Sequence, residues 1–453
     1  MSKKEVSFDE FSPVSLKQWE EKIVKDLKGK SLSELEWNAE DNIALIPYYN
    51  KENKKGSENE SKSKPNTKSN EWNINSFIKI IDEKSANKQA LQALSEGVNS
   101  LTFRGDNINL DVLLNDIMIE IIAVHFITRD PLKLAQELKD LCLKRAITFV
   151  DIEGSISFDY LGNLARKGKW LTSRDQVIKD LKSIVSFTAE ADVKAMCASN
   201  SYFQHSGATV AQQVGIALAQ GTEYFNLLTP DFKTEDLANK MQFEFAIGSN
   251  YFLEIAKTRA FRMLWAKVLT EFGSTEKDTK INTSTSTLFW SNKQTKNNML
   301  RATSSAMSAV LGGCDSLTIK SFDEVDENKK SYASRIASNV QLILKEESYF
   351  DKVVDPSNGS YYIETLTEEI AEKGWLFFQE IEKRGGYIDG LKSSFIQDSV
   401  YDSGEKLIEK YNNNEISIVG VNKYETEDRA VSLKRKNEPK KEEIKSLSFL
   451  HIH

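Results

Sequence analysis

The sequence predicts an α/β fold of one class, a closed (β/α)8 or TIM barrel, with an N-terminal helical arm and a short C-terminal extension. Three observations predict it. Eight β-rich segments occur in succession, each followed by a stretch whose apolar residues recur at helical spacing. The connections are short, and strands joined through helices must run parallel, so eight such units close on themselves. No glycine-rich phosphate loop follows the first strand, where an open doubly wound sheet, the competing arrangement, would carry one.

The arm occupies residues 1–50. Val14, Trp19, Ile23 and Leu27 recur at helical spacing against lysines and glutamates on the other face. Such an apolar stripe needs a surface to cover it, and a partner subunit is the expected one. Lys51 to Glu71, KENKKGSENESKSKPNTKSNE, has no aliphatic or aromatic residue. It cannot offset the entropy of ordering by burial, which is the composition of a flexible linker. The barrel is expected over 72–400 and the extension over 401–453.

WNINSFIKII (Trp72 to Ile81) opens the barrel, and SANKQALQALSEG follows as a helix with Ser85 as cap and Gly97 as stop. SLTFR leads into NINLDVLLNDI, EIIAVHFIT into DPLKLAQELKDLCLKR, and ITFVDIE into a helix near Tyr160 to Lys167. VKAMCASNSYF leads into ATVAQQVGIALAQG, and QFEFAIGS into YFLEIAKTRAFRMLWAKVLTEFG. NTSTSTLFW with TKNNMLRATSSAMSAVLGG, then DSLTIKSFDE with YASRIASNVQLILKEES, complete the eight.

Composition narrows the function classes. A net charge of −7 and a pI near 5.5 give no field that favours polyanions, so nucleic acid is not an expected partner. The start MSKKEVSFDEFSPVSLKQWEEKIVKDLKGK lacks the apolar stretch of a signal peptide, and no later segment has the roughly twenty apolar residues of a membrane span. A cytoplasmic protein without membrane contact is expected. Cys142, Cys197 and Cys314 lie far apart without CxxC spacing, and only four histidines occur, so neither a disulfide nor a metal site is expected. GxGxxG, GKT/S, GxSxG and HExxH are all missing.

In such barrels the chemistry lies at the C-terminal ends of the strands. There the sequence places His125 and Thr128 on strand three, Asp151 and Glu153 on strand four, and Asn200, Tyr202, Gln204 and His205 on strand five. Gly248 and Asn250 end strand six, and Ser321 and Asp323 end strand eight. Strand periodicity sets Asn200, Tyr202 and Gln204 on one face and His205 on the other. Each also has a bland reading. His125 sits among apolar neighbours, as core histidines do. Asp151 and Glu153 share a face and suit an acid/base pair, but strand-end carboxylates also cap helices. The glycines of LGG (Leu311 to Gly313) and RGG (Arg384 to Gly386) end helices, where glycine is expected whatever the function.

Several segments resemble the methylmalonyl-CoA mutase family. They are KTRAFRMLWAKVL (Lys257 to Leu269), NNMLRATSSAMSAVLGGCDSLTIKSFDE (Asn297 to Glu324), RIASNVQLILKEES (Arg335 to Ser348) and VVDPSNGSYYIETLTEEIAEKGWLFFQEIEKRGGY (Val353 to Tyr387), closed by GVNKY (Gly420 to Tyr424). FSPVSLKQWEEKIVKDLKGK is similar to the family's N-terminal region as well, so the resemblance covers nearly the whole chain. It implies a barrel threaded by the pantetheine arm of an acyl-CoA and closed by a cobalamin-binding domain. It also implies interconversion of methylmalonyl-CoA and succinyl-CoA through radicals from adenosylcobalamin, with the protein supplying enclosure and orientation.

The departures shape the expected role. Catalytic chains of the family carry GYHxxEAGA at strand five, whose histidine lies by the substrate carbonyl. Here the run is Asn200, Ser201, Tyr202, Phe203, Gln204, His205, Ser206, Gly207, Ala208, with tyrosine in place of that histidine and His205 in place of the glutamate. The family's RGPY-type segment falls on the polar linker, and the arginine and glutamine of its QTSGW region have no counterpart in NTSTSTLFWSNKQTKNN. CoA ester binding by this chain is therefore not a firm expectation. Neither His451 nor His453 stands in the DxHxxG pattern whose histidine ligates cobalt, and no cobalamin-binding domain is expected after LSFLHIH. The resemblance thus implies the small, non-catalytic subunit of a heterodimeric mutase in propionate metabolism. Tyr202, Gln204 and His205 would form a vestigial site, and adenosylcobalamin would be held by the catalytic large subunit. The alternative is an autonomous barrel enzyme that acts on a CoA ester through Asp151, Glu153 or His205 without cobalamin.

Overall fold

The computed structural model describes residues 12, 14–53, 68–326, 332–424, 431–435, 443–444 and 447–451. Residues 54–67, most of the expected linker, lie outside the described residues, and Lys51 to Asn53 form a turn. Among the described residues no helix is long and apolar enough to cross a membrane.

Eight parallel strands form the barrel: β1 (Asn73–Lys79), β2 (Ser100–Arg104), β3 (Ala123–Ile127), β4 (Gly154–Ser157), β5, β6 (Met241–Ile247), β7 (Lys280–Thr285) and β8 (Ser316–Thr318). Strand β5 comes in two pieces on either side of Ala195. Val193–Lys194 pairs with β4 and Met196–Ser199 with β6, so this strand bridges the two halves of the sheet. Pairing of β8 with β1 completes the ring, as the count of eight predicts.

Helices cover the outside. In chain order they are α1 (Leu16–Asp26) in the arm, then α2 (Glu83–Ser95), α3 (Leu110–Leu113), α4 (Pro131–Lys144), α5 (Tyr160–Lys167), α6 (Arg174–Phe187), α7 (Ser201–His205) and α8 (Val210–Leu228). Next come α9 (Thr234–Lys240), α10 (Tyr251–Glu271), α11 (Thr295–Leu311), α12 (Ala333–Leu342), α13 (Tyr361–Glu382), α14 (Tyr387–Lys392) and α15 (Phe395–Asn412). Helix α2 starts two residues before the expected cap, because the Asp82 carboxylate accepts from the Ser85 amide. Helix α4 has Asp130 as cap and Pro131 in its first turn, the arrangement its DPL start implies.

Strand four is the clearest departure from expectation. The apolar run ITFVDIE ends in a 3₁₀ turn, Phe149–Asp151, and the strand begins only at Gly154. Its sequence GSIS carries little strand signal, since Ile156 alone meets the helical layer as an apolar side chain.

Buried charges tie the outer layer together. The Arg259 guanidinium on α10 is held by the Asp355 carboxylate and, at 2.7 Å, by Glu364 on α13. Arg262 donates to Asp278 at 2.6 Å, to Asp315 at 3.0 Å and to the Gly313 carbonyl at 3.0 Å. Lys257, fully buried, donates to Gln213 and the Ala246 carbonyl and pairs with Glu254 at 2.5 Å. Burying these cations is tolerated because each has carboxylate partners, and Lys257 and Arg262 have carbonyl partners as well.

The arm divides into two parts. Helix α1 starts at a Ser15 capping box and buries no residue, its Trp19 ring stacking on Tyr48 at 4.6 Å. A short antiparallel ribbon, Trp37–Asn38 with Ala44–Leu45, follows, and its Ala39, Ile43 and Leu45 join the main hydrophobic core. The apolar surface that receives this part of the arm thus lies on the chain's own barrel. At the other end Leu288, Tyr411, Ile418, Val421 and Leu433 make a second, small core over the strand-seven loop.

Candidate ligand axis and strand-five site

Side chains alternate across each strand, one set meeting the helices and the other lining the barrel axis. Toward the helices point Leu101, Phe103, Phe126, Phe243, Ile281 and Leu317, all with essentially no exposure. Inward the lining is mostly polar, with Phe77, on the Asn75 face of β1, as a half-exposed aromatic. Asn75 donates to Thr318 at 2.7 Å and accepts from Ser100 at 2.9 Å and Thr102 at 3.1 Å. Asn282 donates to Gln242 at 3.0 Å. Barrels of this class normally fill the axis with branched aliphatic side chains. Here Thr102, His125, Glu244, Asn282 and Thr318 keep partial exposure while their outward neighbours have none. The axis is therefore lined mainly by polar side chains.

His125 belongs to this lining. Its Nδ1 lies 2.9 Å from the Ser155 hydroxyl, and its Nε2 is buried without a hydrogen-bond partner. Burial, with the Lys280 cation adding to it, pulls the imidazole down to about 4, so it is neutral near pH 7. Thr128, expected beside it, is buried and donates to Asp106 at 3.3 Å.

Asp151 and Glu153 do not reach the C-terminal face. Because strand four starts after them, they lie at the N-terminal end of the barrel, where the Glu153 carboxylate is 3.9 Å from Lys280 and half exposed. Opposite ends of the barrel thus hold this pair and His205.

At strand five the expected periodicity fails for a stated reason. The chain turns into α7 at Ser201, so successive side chains rotate by about 100° rather than 180°. Tyr202 and Gln204 accordingly point to different sides. Gln204 is buried and accepts from the Ser286 hydroxyl at 2.7 Å, linking the ends of β5 and β7. Tyr202 turns toward the helical layer, where the Arg166 guanidinium lies 5.4 Å from its ring and its hydroxyl faces Tyr387 and Asp159. Burial first, then Tyr387 and Asp159, hold that phenol well above its ordinary range. Asn200 is fully buried, and neither polar atom of its side chain has a partner among the described residues.

His205 is held at both nitrogens. Nδ1 lies 2.7 Å from the Ser201 carbonyl and must be the donor there, since a carbonyl only accepts. Nε2 then accepts from the Thr287 amide at 3.3 Å. Burial, then Lys320, pulls this imidazole down to about 4. A neutral ring with both nitrogens engaged staples the strand-five turn to the strand-seven loop.

Of the remaining strand-end residues, Gly248 packs against Gln204, where an added β-carbon would lie 3.3 Å from the Gln204 Nε2. Asn250 caps α10 by position only, Ser321 donates to Glu324 at 3.4 Å, and Asp323 is buried. The Gly248 carbonyl accepts from Ser305 at 2.9 Å. Among the described residues no group of three or more His, Cys, Asp or Glu side chains could hold a metal ion.

One functional-face group escaped sequence reasoning. The arm's 3₁₀ turn, Glu40–Asn42, sets Glu40 and Asp41 at the N-terminus of α8, where the Val210 and Ala211 amides donate to them at 3.1 Å each. Thr209 donates to Asp41 as well. Some 170 residues separate donor and acceptor in each bond, so no local pattern announces them.

A family model described as methylmalonyl-CoA mutase matches residues 106–451. The chain is 34% identical to the methylmalonyl-CoA mutase small subunit of Porphyromonas gingivalis, over 93% of this chain and 71% of that protein. It is 31% identical to the methylmalonyl-CoA mutase of Rhizobium meliloti, over 71% of this chain and 44% of that one. Identity to the methylmalonyl-CoA mutase large subunit of P. gingivalis is 29%, over 69% of this chain and 45% of that one.

Proposed function

Because this chain belongs to the methylmalonyl-CoA mutase family, we propose that it is a non-catalytic small subunit that pairs with a cobalamin-bearing large subunit. The observation that carries the reading is the state of His205. A proton-transfer group needs a nitrogen that can reach substrate and a pKa near the working pH, and His205 has neither. The higher identity and coverage toward the P. gingivalis small subunit than toward its large one support the same assignment.

Adenosylcobalamin supplies the radical chemistry in such an enzyme. A cobalt ligand would need an imidazole nitrogen presented outward, and neither of the two imidazoles whose side chains the structure describes, His125 and His205, fits. His125 lies within the barrel on Ser155, and His205 is bonded on both sides. The cofactor is therefore assigned to the large subunit. This chain's share is to hold the partner and keep its own strand ends rigid.

The autonomous reading, acid/base catalysis on a CoA ester, has the polar axis in its favour. It lacks convergent groups, since Asp151 and Glu153 are at one end of the barrel and His205 is at the other.

Co-expression with a large subunit, followed by size measurement and mutase assay of each chain and of the pair, tests the proposal. Turnover is expected in the pair and not in this chain alone. His205→Ala and Tyr202→Phe, each in the assembled pair, are expected to leave turnover within about threefold, because a working acid or base contributes about 100-fold or more. A hundredfold loss from either would assign catalysis to this chain.

The unburied helix α1 is the part of the arm free to meet the partner. Removing residues 1–30 should abolish co-purification, since an obligate interface of more than about 2,000 Å² cannot lose its arm without loss of affinity. The far-ultraviolet circular dichroism of the barrel should persist. Unchanged pairing would defeat the assignment of α1.

A further inference from the structure

The C-terminal mouth of the barrel is roofed on one side only. Over β5 to β7, Tyr411 of α15 packs with Ile418 and Val421 on Leu288 of the strand-seven loop, and Gln204 and Ser286 at those strand ends are each 6% exposed. Across the ring the ends of β1 and β2 stay open. Phe77 is 46% exposed, and Lys79 and Arg104, the last residues of these two strands, are exposed as well.

Period two puts Asn75, Phe77 and Lys79 on the inward face of β1, and Thr102 and Arg104 on that of β2. Lys79 and Arg104 are in register, so the strand spacing of about 4.8 Å sets the two cations side by side. Like charges placed so are unfavourable until an anion joins them. The carboxylates nearest along the chain are already engaged. Asp106 holds Arg129 through its Nε at 2.7 Å and its Nη2 at 2.6 Å, Asp82 accepts from the Ser85 amide at 2.8 Å, and Glu83 accepts from the Asn109 amide at 3.1 Å. Neither the Lys79 nor the Arg104 side chain has a hydrogen-bond or ion-pair partner among the described residues.

We propose that the ends of β1 and β2 form a binding site for a small organic phosphate, whose phosphate group lies between Lys79 and Arg104 and whose apolar part rests on Phe77. This stands apart from the subunit assignment. A phosphate monoester carries close to two negative charges near pH 7, which matches two adjacent cations where a carboxylate would balance one. The Arg104 guanidinium offers a planar fork to two phosphate oxygens, and the Lys79 ammonium adds a point charge beside it. Phe77 lies one step further in on the face of Lys79, so the rest of such a ligand meets an aromatic surface there. Thr102, in register with Phe77 and partly exposed, stands beside the ring.

Calorimetric titration of the full chain with phenyl phosphate tests this, with inorganic phosphate and benzoate as the other arms. Phenyl phosphate is expected to bind about fivefold more tightly than inorganic phosphate, the gain from one aromatic contact. Benzoate, with a single charge, should bind more weakly than phenyl phosphate. Lys79→Ala and Arg104→Ala should each weaken phenyl phosphate about tenfold or more, as loss of a charge-assisted hydrogen bond does. Phe77→Ala should bring phenyl phosphate down to the level of inorganic phosphate and leave inorganic phosphate unchanged. Without ligand, either cation variant should unfold at the same urea concentration as the wild type or a higher one, because a like-charged neighbour is gone. A clear drop in that concentration would assign the pair to the fold instead. Absence of binding at millimolar phenyl phosphate, unchanged affinity in the double variant Lys79→Ala/Arg104→Ala, or benzoate bound as tightly as phenyl phosphate overturns the proposal.

Discussion

Replacing Arg259 with alanine is expected to destabilise the chain by about 3 to 5 kcal/mol, among the largest effects of any single substitution in it. The guanidinium is almost fully buried and bridges Asp355 to Glu364. Removing it strands two carboxylates in surroundings that cannot solvate them, and each must then neutralise or draw in water. Urea unfolding followed by circular dichroism measures the loss. Combining Arg259→Ala with Glu364→Gln should cost less than the sum of the two single changes, because the stranded charge is then partly gone. Additive costs, or a loss of about 1 kcal/mol as at an exposed ion pair, would contradict a buried clamp. The clamp also explains part of the family resemblance. Lys257, Arg259, Arg262, Asp355 and Glu364 all fall in the resembling segments, and the structure assigns them to holding α10, α13 and the barrel together.

Gly154→Ala should be as damaging or worse, at more than about 4 kcal/mol or with failure to accumulate in soluble form. Gly154 has φ 147°, and a β-carbon there would come within 1.8 Å of the Val124 carbonyl oxygen on β3. Neither backbone can withdraw, since Gly154 and Val124 are in register in the ladder that starts strand four. Gly273→Ala supplies the control. Its φ is +79° with nothing within 4 Å of the added carbon, so only backbone strain of about 1 to 2 kcal/mol is expected. Equal costs at the two sites would show that conformation rather than collision decides, and would remove the special place of Gly154.

Much of the barrel is legible along the chain. The predicted SLTFR is β2 to the residue, and Tyr160 to Lys167 is α5. Helices α10 and α11 fall within two residues of their expected ends. Failures share a cause. Strand four was expected on the apolar ITFVDIE, but in this barrel the inward face is polar, so a strand needs only one apolar residue to meet the helices, and GSIS suffices. At Ser201 the backbone changes from strand to helix, and one change of period reassigns every side chain after it.

The strand-five site was legible as composition but not as chemistry. Tyr202, Gln204 and His205 were identifiable, yet their partners Tyr387, Ser286 and Thr287 come from other elements. Glu40 and Asp41 were invisible as site residues, because a carboxylate in a polar arm has no local mark of burial. By itself the sequence determined the count and order of strands and helices and the family resemblance, because periodicity is a property of consecutive residues under backbone geometry. Only the tertiary structure decided which groups meet: that the axis is lined mainly by polar side chains, that His205 is bonded at both nitrogens, and that two acids of the arm cap a helix some 170 residues away. Those contacts exist only once the barrel closes and brings distant segments within hydrogen-bonding distance, and burial then sets the protonation state of each group.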